Sequence, residues 1–237
     1  MPTITVFIPE SAAPPTPREY SRFEPDVESR DTEDAIAWAV GQALNEWEGM
    51  ESAFAACYGR FCQDSSGIAY ASYGTVTSSR ARGMMIGQAI ERCPPWLEQC
   101  ATNLRPLLDL AGKFAERRNE LAHGYIVGFD SGDAHSYFLV PAAYATRYQL
   151  SRTKLEQVVK EQLTSPADLL GRIKLAAGEY AYSAAQILYY RDRFRDLWNK
   201  AIIIASECWA ATVDARRMGH APLAYALNGM VSDQTED

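Results

Sequence analysis

The run WLEQCATNLRPLLDLAGKFAERRNELAHG, residues 96–124, decides the class of this chain. It is too long and too rich in Leu, Ala, Glu and Arg for a strand, and it follows Pro94 and Pro95. Proline in the first turn suits a helix start, so the pattern predicts a helix from about Pro95 to His123. Pro106 should kink it or split it in two. Gly124 should end it as a C-terminal glycine cap.

Upstream, a first helix is expected from about Thr32 to Cys62, with Asp31 or Thr32 as the cap. Its apolar stripe is Ile36, Val40, Leu44, Trp47, Phe54, Tyr58 and Phe61. At roughly 100° per residue these fall in one arc, as an amphipathic helix requires. Glu51 falls in the same arc. A carboxylate there is costly unless it is paired or the stripe opens on a cleft. The stretch QDSSGIAYASYG reads as a loop, and a second helix is expected from about Thr77 to Arg92, stopped by the two prolines.

Downstream, β-prone runs flank Ser131-Gly132-Asp133 and read as a hairpin near residues 125–140. SRTKLEQVVKEQ and SPADLLGRI read as helices. Ser183 should cap a long helix with the stripe Ile187, Tyr190, Phe194, Trp198, Ala201 and Ala205. The expected class is therefore mainly α: a bundle of long helices with a small β-hairpin insertion. A proline-rich leader over 1–30, one helical domain over 31–215 and a frayed tail over 216–237 complete the expected layout, with TITVFI near the start as a stray strand. No βαβ alternation or glycine-rich phosphate loop is present.

The 237 residues are 47% apolar, enough for a sizeable core. Net charge is -7, from 23 basic and 30 acidic side chains, which argues against nonspecific coating of nucleic acid. A small cationic cleft on an acidic body remains compatible with that balance. Five widely spaced cysteines, Cys57, Cys62, Cys93, Cys100 and Cys208, do not form a disulfide framework and suggest reduced thiols. With no signal peptide or membrane-length apolar run visible, the expected location is cytoplasmic.

The chemistry concentrates in ERRNELAHG, residues 116–124. Asn119 and His123 are four apart and share a helix face, and the long Arg118 side chain reaches round toward them. RNELAHG resembles the R-x(4–6)-H motif of the HEPN superfamily, with Arg118, Asn119 and His123 at the arginine, polar and histidine positions. The resemblance implies metal-independent RNA cleavage without a cofactor, by a homodimer with two facing motifs. It also implies a toxin or phage-defence role, with an antitoxin or regulatory protein as partner, or a member that has lost activity and binds a partner protein or nucleotide. On that reading His123 moves protons near neutral pH, Arg118 clamps the phosphate and Asn119 orients the pair. Glu51 is a supporting candidate, expected to meet Arg118 or His123 unless it simply reaches water. The rival reading is structural. Arg and His favour the last turn of any helix, and Arg117 beside Arg118 suggests plain surface charge. YYRDRFRD, residues 189–196, alternates arginine with aspartate as salt-bridged surfaces do. SSRAR, residues 78–82, is a small basic group placed to line a cleft.

Overall fold

The computed structural model describes residue 20 and residues 26–131, 134–142 and 181–220. The TITVFI strand, most of the leader, the two helices read between 151 and 173, and the tail beyond 220 lie outside the described residues. Among the described residues the architecture is mainly helical with one two-stranded antiparallel sheet. The elements are α1 (Glu33–Phe61), α2 (Ile68–Thr75), α3 (Ser79–Glu91), a 3-10 turn (Pro95–Leu97), α4 (Glu98–Ala122), β1 (Gly124–Ser131), β2 (Ala134–Pro141) and α5 (Ala184–Arg217). Two compact units share them: Met1–Trp47 with Lys113–Arg195, and Glu48–Gly112 with Asp196–Asp237. Among the described residues, no helix is long and apolar enough to cross a membrane.

Caps explain most boundaries. Thr32 starts α1, its hydroxyl accepting the Ala35 N–H at 3.2 Å. Asp31 serves a different helix: buried, it accepts the Ala184 N–H at 2.8 Å and so satisfies a free donor at the start of α5. Ser183 and Gln186 complete that start reciprocally, Gln186 N–H to Ser183 Oγ at 3.4 Å and Ser183 N–H to Gln186 Oε1 at 3.0 Å. Ser78 caps α3.

The stretch read as a loop contains a helix. Asp64 makes α2 possible by accepting the Ser66 and Ala69 N–H groups at 2.8 and 2.7 Å, and Gly67 precedes it at φ 82°. That cap lies several residues before the first helical one, outside the usual signature. Pro106 sits inside α4 without dividing it. Where fraying is expected from Arg216, α5 instead ends on Gly219 at φ 83°. His220 N–H there reaches Ala215 O at 2.9 Å and Gly219 N–H reaches Arg216 O at 3.1 Å, the Schellman pattern.

In the first unit the core joins α1, α4 and α5 through aromatic edges. Trp47 meets Phe194 at 5.1 Å between ring centres, and Phe114 meets Phe194 at 5.7 Å. Phe129, Phe138, Val140 and Ala181 form a second cluster on one face of the hairpin. Ala35, Ala39 and Ala43 are buried where the stripe anticipates Val40 and Leu44, which are half-buried, so the true core face of α1 is rotated toward its small residues. In the second unit, the Gly49 backbone lies so close to the Trp198 indole that a Cβ would stand 2.7 Å from it. Cys57, Cys100 and Cys208 are buried in this unit as free thiols. Burial pushes Cys57 up to about 12.

Candidate functional site

The last turn of α4 carries all three motif residues. His123 extends the helix by one residue, its N–H bonding to Asn119 O at 3.0 Å. Its ring and the Asn119 amide are exposed, and Arg118 is half-buried. Arg118 Nη1 donates to Asn119 Oδ1 at 3.4 Å, so the guanidinium lies against the amide one residue on.

Arg117 has the opposite environment. Far from being surface charge, it is 5% exposed and grips two carboxylates. Nη1 lies 3.2 Å from Glu120 Oε2, and Nη2 lies 3.1 Å from Glu116 Oε2. Glu120, 1% exposed, also accepts the Tyr182 hydroxyl at 2.6 Å. A buried carboxylate is tolerated here because a cation and a hydroxyl both answer it. Burial drives the Tyr182 hydroxyl well above its ordinary value, with the neighbouring Tyr190 and Glu120 acting in the same direction. Tyr182 is held at its other end as well, exchanging both backbone hydrogen bonds with Leu139 of β2 at 3.0 and 2.9 Å.

Leu139 in turn explains Gly124. This glycine has no left-handed φ and belongs to β1, so it is not the expected cap. A Cβ there would stand 2.8 Å from Leu139 Cγ and 2.9 Å from the Glu120 carbonyl oxygen. Glycine is required because helix end and strand pass too closely for any side chain.

Glu51 belongs to the second unit and has its own partners. Tyr73 Oη donates to its Oε2 at 2.8 Å and Arg82 Nη1 at 3.1 Å. Arg82 also donates from Nε to Val76 O at 2.6 Å, so this arginine of the basic group is tied inward, whereas Arg80 is exposed. In YYRDRFRD, Arg191 pairs with Asp192 at 2.7 Å, and Arg195 Nε reaches the buried Glu46 at 3.0 Å, the salt-bridged arrangement. Among the described residues, no cluster of His, Cys, Asp and Glu has the geometry of a metal site. The second unit also carries an apolar groove of about 500 Å³ beside Tyr58, Met84 and Met85.

No family model, curated protein or solved structure matches this chain.

Proposed function

We propose that this chain is an endoribonuclease of the HEPN type, acting as a homodimer on RNA. The observation that carries the reading is the Arg118–Asn119 contact at 3.4 Å on the same exposed turn that presents His123. Arg118 reaches the Asn119 amide, and Asn119 and His123 are exposed four residues apart on one helix face, which supports the reading. That set suits transesterification at phosphorus. His123 takes the proton as the RNA 2′-oxygen bonds to phosphorus. Arg118 meets the charge on the equatorial phosphorane oxygens. The bond to the 5′-oxygen breaks, an imidazolium returns the proton to it, and a 2′,3′-cyclic phosphate and a 5′-hydroxyl remain.

Residues 116–120 contain two glutamates and two arginines, so the segment sums to zero charge. One copy therefore offers little cationic field, and a second motif facing the first would double the guanidinium and imidazole count at the phosphate. The same neutrality favours the alternative, a non-catalytic bundle that binds a partner protein or nucleotide.

The test is incubation of purified protein with mixed RNA in the presence of a chelator. Wild type should leave cyclic phosphate ends, and His123→Ala should lose about 100-fold or more in rate. Equal cleavage by both proteins, or none by either, removes the proposal.

A further inference from the structure

The turn that presents Arg118, Asn119 and His123 is fastened from beneath by a closed circuit of contacts. Glu120 takes the Tyr182 hydroxyl at 2.6 Å. The Tyr182 backbone pairs with Leu139, and the Leu139 side chain presses on Gly124. Three residues, Leu121, Ala122 and His123, join Glu120 to Gly124 along the chain. Arg117 locks the circuit by pairing with Glu120 at 3.2 Å. At about 100° per residue, Arg117 and Glu120 lie within 60° of each other on the inner edge of α4. Asn119 and His123 lie within about 40° of each other on the exposed side, with His123 about 60° round from Glu120.

We propose that Arg117, Glu120 and Tyr182 are positioning residues, which set the rotation of the last turn of α4 and thereby hold Arg118, Asn119 and His123 in register. The proposal rests on the reading of that turn as an RNA-cleaving site. Its physical basis is the contrast between an ion pair and a greasy contact. A buried ion pair adds little stability over apolar residues of the same volume. It is, however, far more directional: a small rotation of the turn pulls the carboxylate off the hydroxyl, whereas leucines would slide. Placing such a pair directly behind a reactive turn favours orientation over stability. Groups that must meet one phosphate are sensitive to such shifts, and a misplacement of about 1 Å costs about 100-fold in rate.

Two variants test it. Tyr182→Phe removes one hydroxyl and keeps the ring and the backbone bridge. Arg117→Met with Glu120→Leu replaces the ion pair by apolar groups of similar volume and is expected to remain folded. Both should lower kcat on RNA by about 10- to 100-fold while KM changes by less than about threefold. In NMR spectra, the His123 ring and Asn119 amide resonances should move in both variants. Wild-type kcat together with unmoved resonances in the folded double variant overturns the proposal. A kcat loss that only follows the lost folded fraction does so too. If wild type itself cuts no RNA, the nuclease reading fails, and the resonances alone decide the inference: displaced they support it, unmoved they end it.

Discussion

Replacing Gly124 by alanine is expected to destabilise the protein, although the same change inside α4 stabilises it. At Gly112 an added Cβ meets nothing within 4 Å. There, Gly112→Ala should gain about 0.5–1 kcal/mol, because glycine in a helix interior loses more conformational freedom than alanine. At Gly124 the methyl group would stand 2.8 Å from Leu139 Cγ, 2.9 Å from Leu139 Cδ1 and 2.9 Å from the Glu120 carbonyl oxygen. Leu139 can shift by a rotamer change. The carbonyl belongs to the last turn of α4 and moves only if the helix end moves. Overpacking of this kind costs about 1–3 kcal/mol, more than the roughly 0.4–1 kcal/mol recovered from the unfolded chain. The net expectation is a loss of about 1–2 kcal/mol. At about 2–4 °C per kcal/mol for a chain of this size, the two variants should melt on opposite sides of wild type. Thermal and urea unfolding of both proteins measure this. A third variant separates close approach from a left-handed cap. Asparagine tolerates a left-handed φ better than alanine does, so Gly124→Asn would be the milder change if a cap were the reason for glycine. Under close packing it is at least as harmful as Gly124→Ala. A neutral Gly124→Ala, or an asparagine variant clearly more stable than the alanine one, refutes the reasoning.

Two further outcomes are expected. Arg82→Met should cost about 3 kcal/mol in urea unfolding, because Glu51 stays buried with only the Tyr73 hydroxyl to answer its charge; a loss below about 1 kcal/mol would show that the ion pair contributes no more than a surface one. Stability should also fall in alkaline solution. Cys57 and Tyr182 are buried in their neutral forms, with folded values above the ordinary 9.0 and 10.0. The unfolded chain therefore releases these protons first. Their contribution is complete below about pH 9 and fades as pH rises toward the Cys57 value of about 12, each group adding up to roughly 1.4 kcal/mol per pH unit. Denaturation curves from pH 7 to 11 check this, and a flat profile above pH 9 would contradict it.

Helices α1, α3, α4 and α5 are legible because each announces itself by local chemistry: Thr32, Ser78, Pro95 and Ser183 at the starts, and apolar spacing along the bodies. The hairpin is legible from its turn residues. What local chemistry misses is any partner distant in sequence. Asp31 looks like the cap of the helix that follows it, and instead caps a helix starting at Ala184. Gly124 looks like a glycine cap, and its constraint comes from Leu139 across the hairpin. Helix α2 escapes notice because its capping carboxylate, Asp64, lies outside the four-residue window in which caps are sought.

At the candidate site, the short motif points to Arg118, Asn119 and His123 and is silent on Arg117, Glu120 and Tyr182. Arg117 and Arg118 are indistinguishable as letters, and the helical wheel does not separate them either. Phe114 and Leu121, both buried, mark the inner face of α4. Arg117 lies about 60° from Phe114 and about 40° from Leu121, and Arg118 lies about 40° from Phe114 and about 60° from Leu121, so both fall near that face. The wheel flags a cation near the inner face of α4 and raises the question of its partner, but only the fold shows that Arg117 is the buried one. Half of the answer, Glu120, stands three residues on. The other half, Tyr182, lies sixty-two residues away and only the fold supplies it. The outward residues of such a turn can be guessed from a short motif. The inward ones need a partner, and that partner decides whether the turn keeps one orientation.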